Sequence, residues 1–217
     1  MATYVVKRRG FQAPPLALRY AVAPRMRRNE HLLDLLIELQ TLDRIPRAGY
    51  LLRGVPDPES VTEHSWHVVF LVWTLGARTE GMDVGRAVEI ALVHDLAELR
   101  VGDLPQVASR YFPEGAKQVA EAAALDDILA PLPERARALY AEYREGASAE
   151  ARLVKACDKL QLMLKVAVYE RWGAGGLAEF WDNPANFPDG GFPAVRELFD
   201  ELRRRREARR GAPAAAR

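Results

Sequence analysis

Apolar residues recur at helical rather than strand spacing through most of the chain. In EHLLDLLIELQTLDRI, with Asn29 as its N-cap, Leu32, Leu35, Leu36, Leu39 and Leu42 fall on one stripe and predict a core-facing amphipathic helix. Ser60-Val61-Thr62-Glu63 has the form of a capping box and opens a helix expected to reach Thr79, with Val61, Val68, Leu71, Val72 and Leu75 as its buried stripe. A further helix is predicted through VEIALVHDLAELRV, stopping at Gly102. The Ala-, Glu- and Arg-rich stretches from Glu114 to Leu129 and from Glu134 to Arg144 read as scaffold helices. The run from Ser148 to Trp172 is apolar around most of its circumference and should lie at the centre of the molecule. PRAGYLLRGVPDPES and residues 173–192 are rich in glycine and proline and are expected to be loops, the second a long cap anchored by Phe180, Trp181 and Phe187. A last helix starts near Pro193. There is no strand–helix alternation, phosphate-binding glycine loop or internal repeat, so the architecture is read as all-α, a bundle of about six to nine helices.

Several ionisable residues interrupt these apolar runs, where they would be costly unless something binds them. His64 falls in the middle of its helix's inward stripe, with His67 on the flank. A single inward histidine is more often a satisfied core residue than a ligand. Here a second helix supplies the adjacent pair His94 and Asp95, with Glu98 one turn on, and the apolar central helix carries a polar stripe of Asp158, Gln161 and Lys165. An ion pair between Asp158 and Lys165, two turns apart, is the simpler account of that stripe. The alternative is a buried metal site of His64, His94, Asp95 and Asp158. Mixed imidazole and carboxylate donors suit one divalent transition ion, manganese, cobalt, iron or zinc, with magnesium also admissible, and fit calcium poorly.

Composition bounds the rest. With 217 residues, 49% hydrophobic and 28% charged, the chain can bury one substantial core. The expected division is an N-terminal extension over 1–28, one main domain over 29–200 and a basic tail over 201–217. A formal net charge of +1 gives no general case for nucleic acid or membrane binding. Basic residues gather at both ends, but the arginines between Arg203 and Arg210 have no accompanying nucleic-acid fold motif, so nucleic acid is not an expected partner. Cys157 is the only cysteine, which excludes an internal disulfide and a thiolate zinc site and agrees with a reducing compartment. No stretch has the length of a membrane span or the pattern of a signal peptide, so a cytoplasmic protein is expected.

The ordered set of a histidine, a His-Asp pair and a later aspartate on helices resembles the HD-domain metal-dependent phosphohydrolases. The segments PRAGYLLRGV, ESVTEHSWHV, ALVHDLAELRVGDLP and KACDKLQLMLK are similar, in order and spacing, to those of the HD-domain 5′-deoxynucleotidases. That resemblance covers Glu30 to Trp172. It implies an HD-domain helical bundle, His64, His94, Asp95 and Asp158 as metal ligands, and Glu98 in catalysis. It also implies substrate contacts at Asp103, Leu104, Pro105 and Gln106 of the GDLP turn, with Arg47 orienting the phosphate. Tyr50 is the candidate for the aromatic residue beside the sugar, and Asp95, Asp158 and Lys165 are counted with the substrate contacts. A homodimer is implied as well. Such a site would hydrolyse deoxynucleoside 5′-monophosphates, the ion polarising a phosphate oxygen and activating water while Glu98 or Asp103 handles protons. The same site acting on a phosphodiester, a nucleoside triphosphate or an alarmone, or serving only as a nucleotide sensor, is the alternative.

Overall fold

The computed structural model describes residues 28–211, and the 1–28 extension and the end of the tail fall almost wholly outside them. Seven helices have ten or more residues: α1 (Arg28–Leu39), α3 (Val61–Gly76), α4 (Val84–Val93), α7 (Ala116–Ile128), α8 (Glu134–Glu145), α9 (Ala149–Arg171) and α11 (Pro193–Gly211). Between them lie four helices of about one turn, α2 (Ala48–Leu51), α5 (Glu98–Val101), α6 (Gln106–Ser109) and α10 (Ala178–Asp182), and 3-10 turns at Gln40–Arg44 and Pro184–Asn186. The protein is all-α among the described residues, where the one β feature is an isolated bridge between Pro46 and Ser60. Three of the short helices, α2, α6 and α10, lie in or beside segments rich in glycine and proline, whereas α5 is split from α4 within an apolar run.

The centre is α9, packed against α3 and α4, which also pack on each other. Its Leu153, Val154, Cys157, Leu160, Met163 and Val166 are fully buried, as the apolar circumference predicts. Ser60 caps α3 as expected. Its hydroxyl accepts the Glu63 N–H, and the Glu63 carboxylate accepts the Ser60 N–H. The capping box fixes where the helix starts and therefore which face His64 occupies. Two local expectations give way. Asn29 lies inside α1 rather than at its N-cap, and of the predicted stripe Leu35 and Leu42 are buried while Leu36 is 49% exposed. The 3-10 turn after α1 packs on α3 and buries Leu42, while the neighbours of α1 itself cover Leu35 and leave the adjacent Leu36 in the open. The boundary drawn at 200 falls within α11. That helix continues unbroken, and Arg206 pairs with Glu170 and lies over the Trp181 ring, 4.5 Å from its centroid.

Removing the α3 cap should cost stability directly. Ser60→Ala is expected to lose about 1 kcal/mol and to lower Tm by about 2–4 °C. Urea and thermal unfolding would measure this, and an unchanged Tm would mean the cap does not define the start of α3.

Candidate metal centre

Three helices deliver the polar residues. His64 sits on the second turn of α3 and is fully buried. His94 and Asp95 follow the last residue of α4, and the predicted continuous helix through 88–101 is broken there. Adjacent residues on one helix point about 100° apart. Instead the backbone tightens after Val93, with i+3 to i bonds from Leu96 N–H to Val93 and from Glu98 N–H to Asp95, before α5 begins. This turn brings Asp95 Oδ2 to 3.3 Å from His94 Nε2 and 3.4 Å from His64 Nε2. Asp158, near the middle of α9, places Oδ1 3.2 Å from His64 Nε2. Ligand atoms of His64, His94 and Asp158 all lie within 4.8 Å of one another.

Hydrogen bonding makes this cluster suited to a cation. His94 Nδ1 lies 2.7 Å from the Ala91 carbonyl, which accepts only, so Nδ1 carries the hydrogen. His64 Nδ1 is 2.6 Å from Gln161 Oε1. The inner Nε2 atoms of both rings are buried with no hydrogen-bond partner. Two buried imidazole nitrogens facing two carboxylates, each ring held from its far side, form an N2O2 donor set that a divalent transition ion would satisfy.

Above these donors lies Arg47. Its Nη1 is 3.4 Å from Asp95, 3.6 Å from Glu98 and 3.5 Å from Asp103. Asp103 also accepts the Ala48 N–H at 2.6 Å, which ties the GDLP turn to the loop that carries Arg47. Burial alone would lower the Arg47 pKa, but Asp103, Asp95 and Glu98 outweigh it and hold the guanidinium firmly charged. Burial works against ionising Asp95 too, yet His94, His64 and Arg47 keep its carboxyl well below the usual range. For Asp158 burial is likewise overcome, by Lys159, whose Nζ is 3.1 Å away, and by His64. Glu98 goes the other way. Burial and the neighbouring Asp95 charge push its pKa up to about 10 despite Arg47, and its Oε2 is buried without a hydrogen-bond partner.

These groups open into a cavity of about 1020 Å³ whose wall includes Arg47, Tyr50, His94, Asp95, Glu98, Asp103, Leu104, Pro105, Gln106 and Asp158. Tyr50 contributes its ring, packed on Tyr169 and Phe180, while its hydroxyl donates to the Leu162 carbonyl at 3.0 Å. Two predicted site residues do not line this wall: His64, fully buried beneath it, and Lys165. For Lys165 the partner differs from the expected one: it pairs with Glu59 at 3.0 Å, not with Asp158, whose lysine partner is the adjacent Lys159. Also lining the cavity, and not predicted as site residues, are Lys159, Tyr143, Phe180 and Asn183. The last two belong to the predicted cap, which is fastened to the rim by Arg53–Glu179 and by Asn183 donating to Gln106 at 3.2 Å. Its glycines and prolines marked a loop, but nothing in the pattern said which surface it would cover.

Residues 39–183 match the model of the HD domain family. The chain is 33% identical over 192 residues to the human protein named 5′-deoxynucleotidase HDDC2, covering 85% of this chain and 90% of that one. It is 32% identical over 145 residues to the 5′-deoxynucleotidase hdd1 of Schizosaccharomyces pombe, covering 64% and 71%. Among solved structures, a conserved hypothetical protein from Pyrococcus furiosus superposes with a TM-score of 0.69 at 38% identity, covering 79% of this chain and 99% of that one. A protein from Magnetospirillum magnetotacticum described as a predicted metal-dependent phosphohydrolase superposes with a TM-score of 0.58 at 25% identity, covering 82% and 94%.

The raised Glu98 pKa has a stability consequence for the metal-free protein. An acid whose folded pKa, about 10, lies above its ordinary value of 4.5 keeps its proton in the native state while the unfolded chain releases it. Its contribution to stability is therefore lost progressively as pH rises above 4.5. Glu98→Gln, which cannot lose that proton, should match the wild type near pH 4 and exceed it in stability at pH 8, measured by urea unfolding in chelator. Equal stability at both pH values would contradict the assignment.

Proposed function

The chain belongs to the HD domain family, and on that premise we propose that it is a metal-dependent 5′-deoxynucleotidase, releasing phosphate from deoxynucleoside 5′-monophosphates. The observation that carries the reading is the pair of partnerless imidazole Nε2 atoms facing Asp95 and Asp158 at the base of a cavity that also holds Arg47 and Glu98. His64, His94, Asp95 and Asp158 would hold one divalent ion. Manganese, cobalt, iron and zinc suit the donor set best, with magnesium also admissible. When bound, the ion supplies Lewis acidity for a phosphate oxygen and for water.

The protein's own groups do the rest. Asp95, Asp103 and the protonated Glu98 all approach Arg47 through Nη1, which leaves the other donors of its guanidinium for the phosphoryl oxygens. A nucleoside alkoxide is a poor leaving group and needs a proton. Glu98, buried against the cavity with an unpartnered Oε2 and a raised pKa, is the group we assign to deliver it. Asp103 anchors the GDLP turn against Ala48, so that Leu104, Pro105 and Gln106 form the wall for the sugar and base. The Tyr50 ring packs beside the sugar on this reading. Residues 29–200 would constitute the HD unit, and the active form would be a homodimer. The lone buried Cys157 fits a reducing, cytoplasmic setting, and no helix among the described residues is long and apolar enough to cross a membrane.

The test is phosphate release from a panel of deoxy- and ribonucleoside monophosphates with manganese, cobalt, magnesium or chelator. Turnover of deoxynucleotides that chelator abolishes is expected. Glu98→Gln and Arg47→Ala should lower kcat/KM by roughly 10²–10⁴. Hydrolysis of phosphodiesters or triphosphates alone, or of no nucleotide with any metal, would overturn the reading.

A further inference from the structure

On the far side of His64 from the cavity lies a chain of buried polar groups that neither substrate binding nor metal donation accounts for. Gln161 Nε2 donates to both oxygens of Glu59, at 2.8 and 3.1 Å. Lys165 Nζ is 3.0 Å from Glu59 Oε2, and the Glu59 backbone N–H donates to the Tyr169 hydroxyl at 2.7 Å. Glu59, Gln161 and His64 are 4%, 3% and 0% exposed, so water does not compete for these bonds.

The chemistry of the groups fixes the hydrogens between Glu59 and His64. Carboxylate oxygens accept only, so the Gln161 amide must turn its NH2 toward Glu59. Its carbonyl oxygen, also an acceptor only, then faces His64 Nδ1 at 2.6 Å, and Nδ1 must carry the hydrogen. The ring's remaining lone pair is on Nε2, the atom directed at Asp95 and Asp158. Rotating the amide by half a turn would set its oxygen against the Glu59 carboxylate in a dry interior, an acceptor–acceptor contact with nothing to relieve it. His94 needs no such device. It follows the last residue of α4, where the Ala91 carbonyl can take its Nδ1–H. His64 lies inside α3, whose backbone carbonyls are used by the helix, so its orientation must come from side chains.

We propose that Glu59 and Gln161 are positioning residues that lock His64 in the Nδ1–H form and so present Nε2 as a ready donor to a divalent cation. Lys165 and Tyr169 hold Glu59 in place. This rests on the reading of His64 as a metal ligand. It gives Lys165 a role remote from substrate and explains the Asp158, Gln161, Lys165 stripe of α9 as two functions on one face: a metal donor, and the support behind another donor.

The experiment titrates chelator-stripped protein with Zn²⁺ and compares the wild type, Glu59→Gln, Gln161→Met and the double variant. Loss of such a hydrogen bond behind a ligating histidine typically weakens metal binding 10–100-fold. Each single variant is expected to lose about tenfold or more, and the double variant no more than Gln161→Met, because both act through one chain. Gln161→Met binding within twofold of wild type while Glu59→Gln is weakened would overturn the proposal, leaving Glu59 as a through-space charge. Additive losses would overturn it as well. A proton measurement on the Zn²⁺-loaded wild type needs no variant to fold: a downfield, exchange-protected proton on His64 Nδ1 is expected, and a freely exchanging one refutes the lock. His64→Asn with wild-type affinity would instead defeat the ligand reading itself.

Discussion

Two imidazole nitrogens turned inward without hydrogen-bond partners, beside two carboxylates, are the constraint on which the molecule is arranged. Buried polar atoms left unpaired cost about 1–3 kcal/mol each, and nearby like charges add to that. A chain that keeps His64 and His94 in this state among Asp95 and Asp158 is organised to receive positive charge there. Arg47 and Lys159 supply part of it from the protein, and each contacts carboxylates of the cluster. The two Nε2 atoms are left without a hydrogen-bond partner, a place that a divalent ion would fill.

The fold serves that requirement with few long elements. α3, α4 and α9 meet pairwise, and each brings its contribution at a defined register: a capped start for His64, a helix end for His94 and Asp95, and a rigid central rod for Asp158. The break after Val93 matters most. It lets sequence neighbours converge where a regular helix would separate them, and it starts α5 so that Glu98 also faces the cavity. The GDLP turn and the capping segment with α10 are then fastened to the rim by a few polar contacts, Asp103 to Ala48 and Arg47, Glu179 to Arg53, and Asn183 to Gln106.

Much of this was legible in the sequence because helix periodicity and burial carry the same information. His64 inside an apolar stripe, a His-Asp pair in a second apolar run and Asp158 on an almost wholly apolar helix each announce a buried charge, and three such signals in one order resemble one family. The residues lost to sequence reasoning are those whose partners are set only by packing. Lys165 sits two turns from Asp158 along α9, but its partner is Glu59, a loop residue before α3 whose direction no periodicity specifies. Leu36 fits a helical stripe, yet how far a terminal helix is covered depends on its neighbours, and on α1 they bury Leu35 while leaving Leu36 exposed. The helix break at His94 has no proline or glycine to signal it.

The most direct test of the central claim is anomalous diffraction from crystals of the protein grown with cobalt. A single peak is expected within about 2.0–2.3 Å of His64 Nε2, His94 Nε2 and carboxylate oxygens of Asp95 and Asp158. A peak that omits Asp158, or one bound elsewhere in the molecule, would contradict the account.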